Sequence, residues 1–248
     1  MDNEYQLSVT PILLFFAVKE ESRFFCQYLK QQGYCLDKKG IYFPTTSKKR
    51  TLPPLRIYYI GMGKSCALRA TEEISIQFPP QYVITAGFAG ALDPQFKIGD
   101  VLIQQNLFFP HILQNKENLH LHKTRFFQAE HVITTAKEKA ELFCSTQCGA
   151  VEMESGTIME YCTRQKIPCI IIRSISDQAD EDLAVDFNQI LKPNGKISLF
   201  RLSSTILASP HKRIPALIRL GINSSRAAKA LADSLIKLIS LLPRSDWQ

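Results

Sequence analysis

Two segments of the chain carry apolar residues without alternation: Pro11-Ile-Leu-Leu-Phe-Phe-Ala-Val18 and Pro168-Cys-Ile-Ile-Ile-Arg-Ser174. A strand with one wetted face alternates apolar and polar residues, so an unbroken run predicts a strand covered on both faces. Between these strands the pattern changes to a helical one. From Glu20 to Gln32 the apolar residues Phe24, Phe25, Tyr28 and Leu29 recur every three or four positions. Two acids open the segment and Gly33 stands at its C-cap. Strands are expected around 34–43, 55–60 and 81–85 and again from Ile98. Helices are expected from Gly63 to about Gln77, from the capping box Thr135-Ala-Lys-Glu138, and from Glu152 to Lys166. Strand and helix in alternation predict an α/β fold. Ala228, Leu231, Leu235, Leu238 and Leu242, with Arg226, Lys229, Asp233 and Lys237 between them, predict an amphipathic helical extension at the C-terminal end. The expected organisation is an α/β domain over residues 1–195 and a basic helical extension over 196–248, packed on the same domain.

The formal net charge is +7, and its position decides what it means. Residues 1–200 hold 22 Lys+Arg against 21 Asp+Glu, whereas residues 201–248 hold 8 against 2. The body is neutral and no aromatic-basic motif accompanies the tail, so nucleic acid is not an expected partner. A basic amphipathic end can instead reach an anionic membrane surface. Its simpler reading is a solvated helix face. Seven cysteines with no C-x-x-C predict reduced, mostly buried thiols. Four of the five histidines lie between 111 and 131, with no ligand-spaced Cys, Asp or Glu beside them, and no metal is expected. The start of the chain carries acids rather than Lys or Arg before its first apolar run, and no run reaches bilayer length. A cytoplasmic protein is expected, able to touch the inner face of a membrane through its basic end.

Polar side chains gather at strand ends and glycine turns in four places. They are Glu20 and Glu21, Gly61-Met-Gly63, the Gly87-Phe-Ala-Gly90 loop, and Glu152-Met-Glu154 with Ser176-Asp177. In open α/β sheets ligands bind outside the carboxyl ends of strands, and carboxylates there suit acid and base work. Taken singly, Glu20, Glu21 and Asp177 read better as helix caps.

Ala150-Val-Glu-Met-Glu-Ser155, followed by Ile172-Arg-Ser-Ile-Ser-Asp-Gln-Ala-Asp180, resembles the signature of the nucleoside phosphorylase superfamily, especially its methylthioadenosine/S-adenosylhomocysteine nucleosidases. Gly87-Phe-Ala-Gly-Ala-Leu92 with Ile98-Gly-Asp-Val101 is similar to the family's glycine loop, and Ala17-Val-Lys-Glu-Glu21 to its acidic turn. The segment from Ala179 through Ile214-Pro-Ala-Leu-Ile-Arg-Leu220 is similar to the extension of the hopanoid-associated phosphorylases.

The resemblance implies a central, mostly parallel mixed β-sheet flanked by helices, and cleavage of the N-glycosidic bond of an adenosyl compound, adenosylhopane in that branch. It implies Asp177 as the acid at the base and Glu21 at the nucleophile. It places Glu154 and Met153 on the ribose, and Glu152, Ser176, Phe88, Ala89 and Gly90 around the substrate. No cofactor is implied beyond inorganic phosphate as a co-substrate, for which Arg23 and Gly87 are the candidates. A homo-oligomer is expected. Phe88 stands where nucleosidases carry Ser or Thr and is expected to crowd the nucleophile pocket unless it turns away, while Phe126 and Phe127 are open candidates for the residue stacked on the purine. Water and phosphate both remain open as nucleophile. The rival readings are a methylthioadenosine/S-adenosylhomocysteine nucleosidase and a catalytically silent purine-binding protein.

Overall fold

Ile12–Phe16 forms β1 with all five side chains buried, as an unbroken apolar run requires. The computed structural model describes residues 12–36, 41–44, 52–77, 80–110, 120–183, 185–190 and 210–243. β1 lies between two parallel partners, β4 (Leu55–Tyr59) and β5 (Val83–Ala91). β5 pairs in parallel with the second apolar run, β10 (Cys169–Asp177). Beyond β4 lie β3 (Ile41–Pro44) and β2 (Tyr34–Leu36), both paired antiparallel; beyond β10 lie the antiparallel β6 (Val101–Gln105) and then β7 (Leu121–Lys123). The order is β2-β3-β4-β1-β5-β10-β6-β7, a mixed sheet with a parallel centre. β9 (Ala150–Glu152) pairs with the far end of β5, and β8 (Phe126–Gln128) pairs with β9.

Alternate residues of β1 feed two cores. Ile12, Leu14 and Phe16 pack with Phe25 and Leu29 of α1 (Lys19–Gln31) and with Leu231, Leu235 and Leu238 of α6 (Pro210–Leu241). Leu13 and Phe15 face Ala67 and Ala70 of α2 (Lys64–Gln77) and Ile158 and Cys162 of α4 (Ser155–Arg164). Each such side chain stabilises the fold by about 1.5–3 kcal/mol when fully buried. The remaining helices among the described residues are α3 (Ala136–Thr146), capped by Thr135 and Glu138 as expected, and the short α5 (Phe187–Ile190). Gly33 adopts φ 78° just past α1, where a side chain would be strained.

The glycine loop is a correction. β5 was expected to stop at Thr85, yet it runs on through Gly87-Phe-Ala-Gly90 to Ala91, and neither of those glycines has a positive φ. They serve close approach instead of a turn. A Cβ on Gly87 would sit 2.5 Å from Glu21 Oε1 and 2.9 Å from an Arg173 terminal nitrogen, and one on Gly90 would sit 2.8 Å from Asp177 Oδ2. The C-terminal helix is longer than its apolar spacing suggested, reaching back to Pro210 with Pro215 inside it. Residues 191–209, which include the expected boundary at 195/196, lie outside the described residues. No helix among the described residues is long and apolar enough to cross a membrane.

Candidate active site

The site is built where β1, β5 and β10 end and α1 and α4 begin. Glu21 lies in the first turn of α1 and is 6 % exposed. Its Oε2 accepts the backbone N–H groups of Ala17 (2.8 Å) and Val18 (3.1 Å), and its Oε1 accepts that of Phe88 (2.9 Å). Glu21 therefore does cap its helix. The same three bonds aim its carboxylate across to β5, over the bare face of Gly87. Burial pushes its pKa up, opposed by the Arg173 charge and by the N–H donors of Phe88, Val18 and Ala17.

Arg173 is the centre of the cluster. A guanidinium in the middle of an apolar strand needs counter-charges, and α4 with its preceding turn supplies them. Arg173 donates to Glu152 Oε2 (3.0 Å) and to Ser155 Oγ, and lies 3.9 Å from Glu154 Oε2. Glu152 Oε2 also accepts the N–H groups of Glu154 (3.0 Å) and Ser155 (2.7 Å), fixing the start of α4. Glu154 Oε1 accepts the Gly63 N–H at 2.7 Å, which brings the Gly61-Met-Gly63 turn to the site. Met153 lies over the same turn, its Cε 3.9 Å from where a Gly63 Cβ would be. Three carboxylates thus meet one cation. Burial raises the Glu154 pKa to about 8, helped by the Glu152 charge and opposed by Arg173 and the Gly63 N–H. Glu152 Oε1 and the Nε and NH1 of Arg173 are buried without hydrogen-bond partners.

Asp177 closes β10. The pairing with β5 shifts register between Ile175 and Asp177, a bulge that re-aims the strand's last side chain. Asp177 Oδ1 accepts from Ser176 Oγ at 2.9 Å, and Oδ2 accepts from Lys139 Nζ at 2.6 Å. Ser176 also lies against the Ala89 carbonyl, at 3.4 Å. Asp177 and Ser176 line a cleft whose other wall is α6, through Ala216, Arg219, Leu220 and the buried Asn223. Sequence reasoning singled out neither Lys139 nor this wall. Lys139 sits on the inward face of α3 with Phe143, a place where an apolar residue would be expected, and that was its only signal.

Of the proposed site residues, the structure brings Glu21, Gly87, Glu152, Met153 and Glu154 together around Arg173, and Ala89, Gly90, Ser176 and Asp177 at the neighbouring strand ends. Arg23 is not among them. Its guanidinium donates to Ser225 Oγ (3.0 Å) on α6 and lies over the Phe24 ring (4.5 Å), because two residues along a helix point to different faces. The expected crowding by Phe88 is corrected too. It follows Gly87 in a strand whose successive side chains alternate, so its ring is on the face opposite the Glu21–Arg173 contact, and it contributes its N–H. Phe126 packs partly buried among Phe96, Leu102 and Ile175, and Phe127 against Leu92 and Ala129. Of the histidines, His111 lies outside the described residues and His122 packs edge-on to Phe96. No group of three His, Cys, Asp or Glu among the described residues is placed to hold a metal.

The family model of the phosphorylase superfamily matches residues 51–123 and 111–207. The chain is 25% identical over 181 residues to the aminodeoxyfutalosine nucleosidase of Helicobacter pylori, covering 60% of this chain and 78% of that protein. It is 24% identical over 168 residues to the 5′-methylthioadenosine/S-adenosylhomocysteine nucleosidase of a Marinomonas species, covering 53% and 71%. Among solved structures, the futalosine hydrolase of Helicobacter pylori superimposes with a TM-score of 0.62 at 19% identity, covering 94% of this chain and 99% of that one. The 5′-methylthioadenosine/S-adenosylhomocysteine nucleosidase of Campylobacter jejuni gives 0.61 at 19%, covering 94% and 100%. At that identity the structural likeness establishes the fold.

Proposed function

The chain belongs to the phosphorylase superfamily and is an enzyme that breaks N-glycosidic bonds, and from that premise we propose that it releases adenine from a 5′-substituted adenosine with water as the nucleophile. The observation that carries the choice of water is the charge around Arg173: Glu21, Glu152 and Glu154 converge on this single guanidinium. An entering phosphate would have to compete with the Glu152 carboxylate, which already occupies the guanidinium, and with Glu21 whenever that group is ionised. Like charges about 4 Å apart repel by roughly 4 kcal/mol at an effective dielectric of 20. Arg23, the cation proposed to offset this, is turned to α6. Water meets no such barrier. The unpartnered NH1 of Arg173 beside Glu21 is a donor to its oxygen, and Glu21 is an acceptor for its proton.

The rest of the reaction follows from where charge develops. Breaking the bond to C1′ leaves positive charge on the sugar and an electron pair on adenine, which leaves poorly as an anion. Asp177 is assigned to N7, where a proton neutralises the leaving base. Glu154 and Met153 are assigned to the ribose, with the Glu154 carboxyl group set to hydrogen-bond its hydroxyls. Glu21 then directs water to the opposite face. Adenine release from 5′-methylthioadenosine in phosphate-free buffer, with free 5-methylthioribose as the second product, is the expected result. Strict phosphate dependence with a sugar 1-phosphate product would overturn it.

One observation favours a second reading of the substrate, a lipid-linked adenosyl compound such as adenosylhopane. Ile214, Ile218 and Ile222 recur every four residues on α6 and are 48%, 58% and 50% exposed, on a helix rich in Lys and Arg. Such a ridge suits a cytoplasmic protein that reaches the inner membrane face. Flotation with anionic liposomes at low salt supports this reading if the protein is retained and removes it if the protein stays behind. A homo-oligomer is proposed on the strength of the family and is tested by light scattering.

A further inference from the structure

Lys139 is a lysine with no exposed side-chain surface, and its ammonium group is fully engaged. Nζ donates to Asp177 Oδ2 at 2.6 Å, to the Gln178 carbonyl at 2.7 Å and to the Glu181 carbonyl at 3.1 Å. Three donors meet three acceptors. A buried ammonium is retained at the cost of its hydration, so a lysine serving only as packing would be better replaced by an apolar residue of similar volume. Its partner is the one carboxylate that the proposed reaction needs in its acid form, yet a carboxylate held against an ammonium is normally ionised. The arrangement is consistent only if the proton is stored next door.

We propose that Lys139 is a positioning residue and proton reserve for Asp177, so that the pair, rather than the carboxyl group alone, delivers the proton to the departing adenine. This rests on the assignment of Asp177 to the base. In the resting pair the proton is on Nζ. As the bond between C1′ and the base breaks and its electron pair moves onto adenine, an Nζ–H bond of Lys139 breaks and Asp177 gains the proton, while Asp177 hands one proton to N7. Adenine leaves neutral, Lys139 is left as a neutral amine, and the sugar cation is captured by water, whose proton goes to Glu21. Lys139 then takes a proton from solvent as Glu21 gives one up, and the cycle closes.

The three hydrogen bonds hold the geometry meanwhile. They tie α3 to the end of β10 and to the turn after it, while Ser176 Oγ fixes the other carboxylate oxygen and the bare Gly90 leaves room for Oδ2. The charged groups that face the pair are few. Glu181 and Asp182 follow β10 and, with Arg219 of α6, line the adjoining cleft; Asp182 also accepts the Ala136 N–H at the start of α3. On α3 itself Glu138 is occupied by Thr134 and Thr135, with the His131 charge near it, and Lys137 and Glu141 pair with one another on the outer surface.

The test compares pH profiles of adenine release from 5′-methylthioadenosine for the wild type, Lys139→Met, Lys139→Arg and Asp177→Asn. Folding is checked by circular dichroism and adenine binding by calorimetry. Lys139→Met removes the ammonium that supplies the proton, so its activity is expected to survive at acid pH, where solvent supplies it, and to fall at least 100-fold at neutral pH, moving the optimum to lower pH. Lys139→Arg keeps charge and donors but holds its proton too tightly to release it, so a loss of similar size at neutral pH is expected with adenine binding retained. A folded Lys139→Met with an unshifted profile, or a Lys139→Arg with wild-type turnover, overturns the proposal. If one variant fails to fold, the other still decides. Asp177→Asn separates the two claims: activity in that variant overturns the assignment of Asp177 itself, whereas an inactive Asp177→Asn beside an unshifted Lys139→Met overturns only the proton reserve.

Discussion

Around Arg173 three carboxylates share one guanidinium and buried polar atoms are left over, whereas around Asp177 every donor of Lys139 has an acceptor. The Arg173 pocket therefore keeps hydrogen-bonding capacity beyond its internal pairs. The Asp177 pocket has its ammonium donors taken up within the protein and turns one face to the cleft. One region is unfinished in its hydrogen bonding, and the other is finished. The contrast fits the two halves of the proposed reaction, in which one side takes in water and the other aims an acid at the base.

The largest effect should come from breaking the finished half. Asp177→Asn is expected to lower kcat by about 10²–10⁴-fold, the usual contribution of a positioned acid, with the fold retained because the Asn oxygen still accepts from Lys139. Near-normal turnover would remove Asp177 from the base. Glu21→Gln should lower turnover by about 10²-fold and leave adenine binding unchanged, since Glu21 is assigned to the other side of the sugar. Equal loss of adenine binding in calorimetry would mean that the two halves are not separate.

A methyl group added at each glycine probes the same contrast more gently. In Gly90→Ala the new Cβ meets an Asp177 oxygen at 2.8 Å, with Val151 Cγ1 3.3 Å away. In Gly87→Ala it meets Glu21 Oε1 at 2.5 Å and an Arg173 nitrogen at 2.9 Å, and Glu21 is held by three backbone N–H groups. Overpacking costs about 1–3 kcal/mol. Gly87→Ala is expected at the upper end of that range and Gly90→Ala at the lower, read as the difference in Tm, with turnover impaired in both. The reverse order would show that the Asp177 pocket, locked by Lys139, is the more rigid one.

Much of this was visible in the residues. The unbroken runs at Ile12 and Cys169 read as strands covered on both faces and are so, and the capping box at Thr135 marked the start of α3 to the residue, though the helix runs three residues past the expected Phe143. Glu21, Glu154 and Asp177 stood out only together, through the resemblance of their segments to the family's motifs, since each alone reads as a helix cap or a strand end. What failed has specific causes. Glycine reads as a turn signal, so Gly87 and Gly90 suggested a loop, although their missing side chains admit carboxylates from other segments. A lysine on a helix reads as solvated, so Lys139 passed unnoticed; only its place on the inward face of α3 spoke against that. Arg23 and Glu21 are neighbours in sequence and face apart in space.

The smallest expected effect concerns pH and stability in the unfinished half. Burial lifts the Glu154 pKa from 4.5 to about 8, so the folded state binds a proton there that the unfolded chain releases. For a carboxyl group raised in this way, stability is complete below pH 4.5 and is lost as pH rises through 8. Glu154→Gln imitates the protonated form at every pH. The wild-type Tm, followed from acid to alkaline buffer, should fall relative to the variant, with the two curves meeting at the acid end. Parallel curves would mean that Glu154 stays ionised and that Glu21, also raised by burial, holds the proton which three carboxylates around one guanidinium must share. That outcome would move the protonated group from the ribose side of the pocket to the nucleophile side. It would also require Glu21 to lose its proton before it could accept one from water.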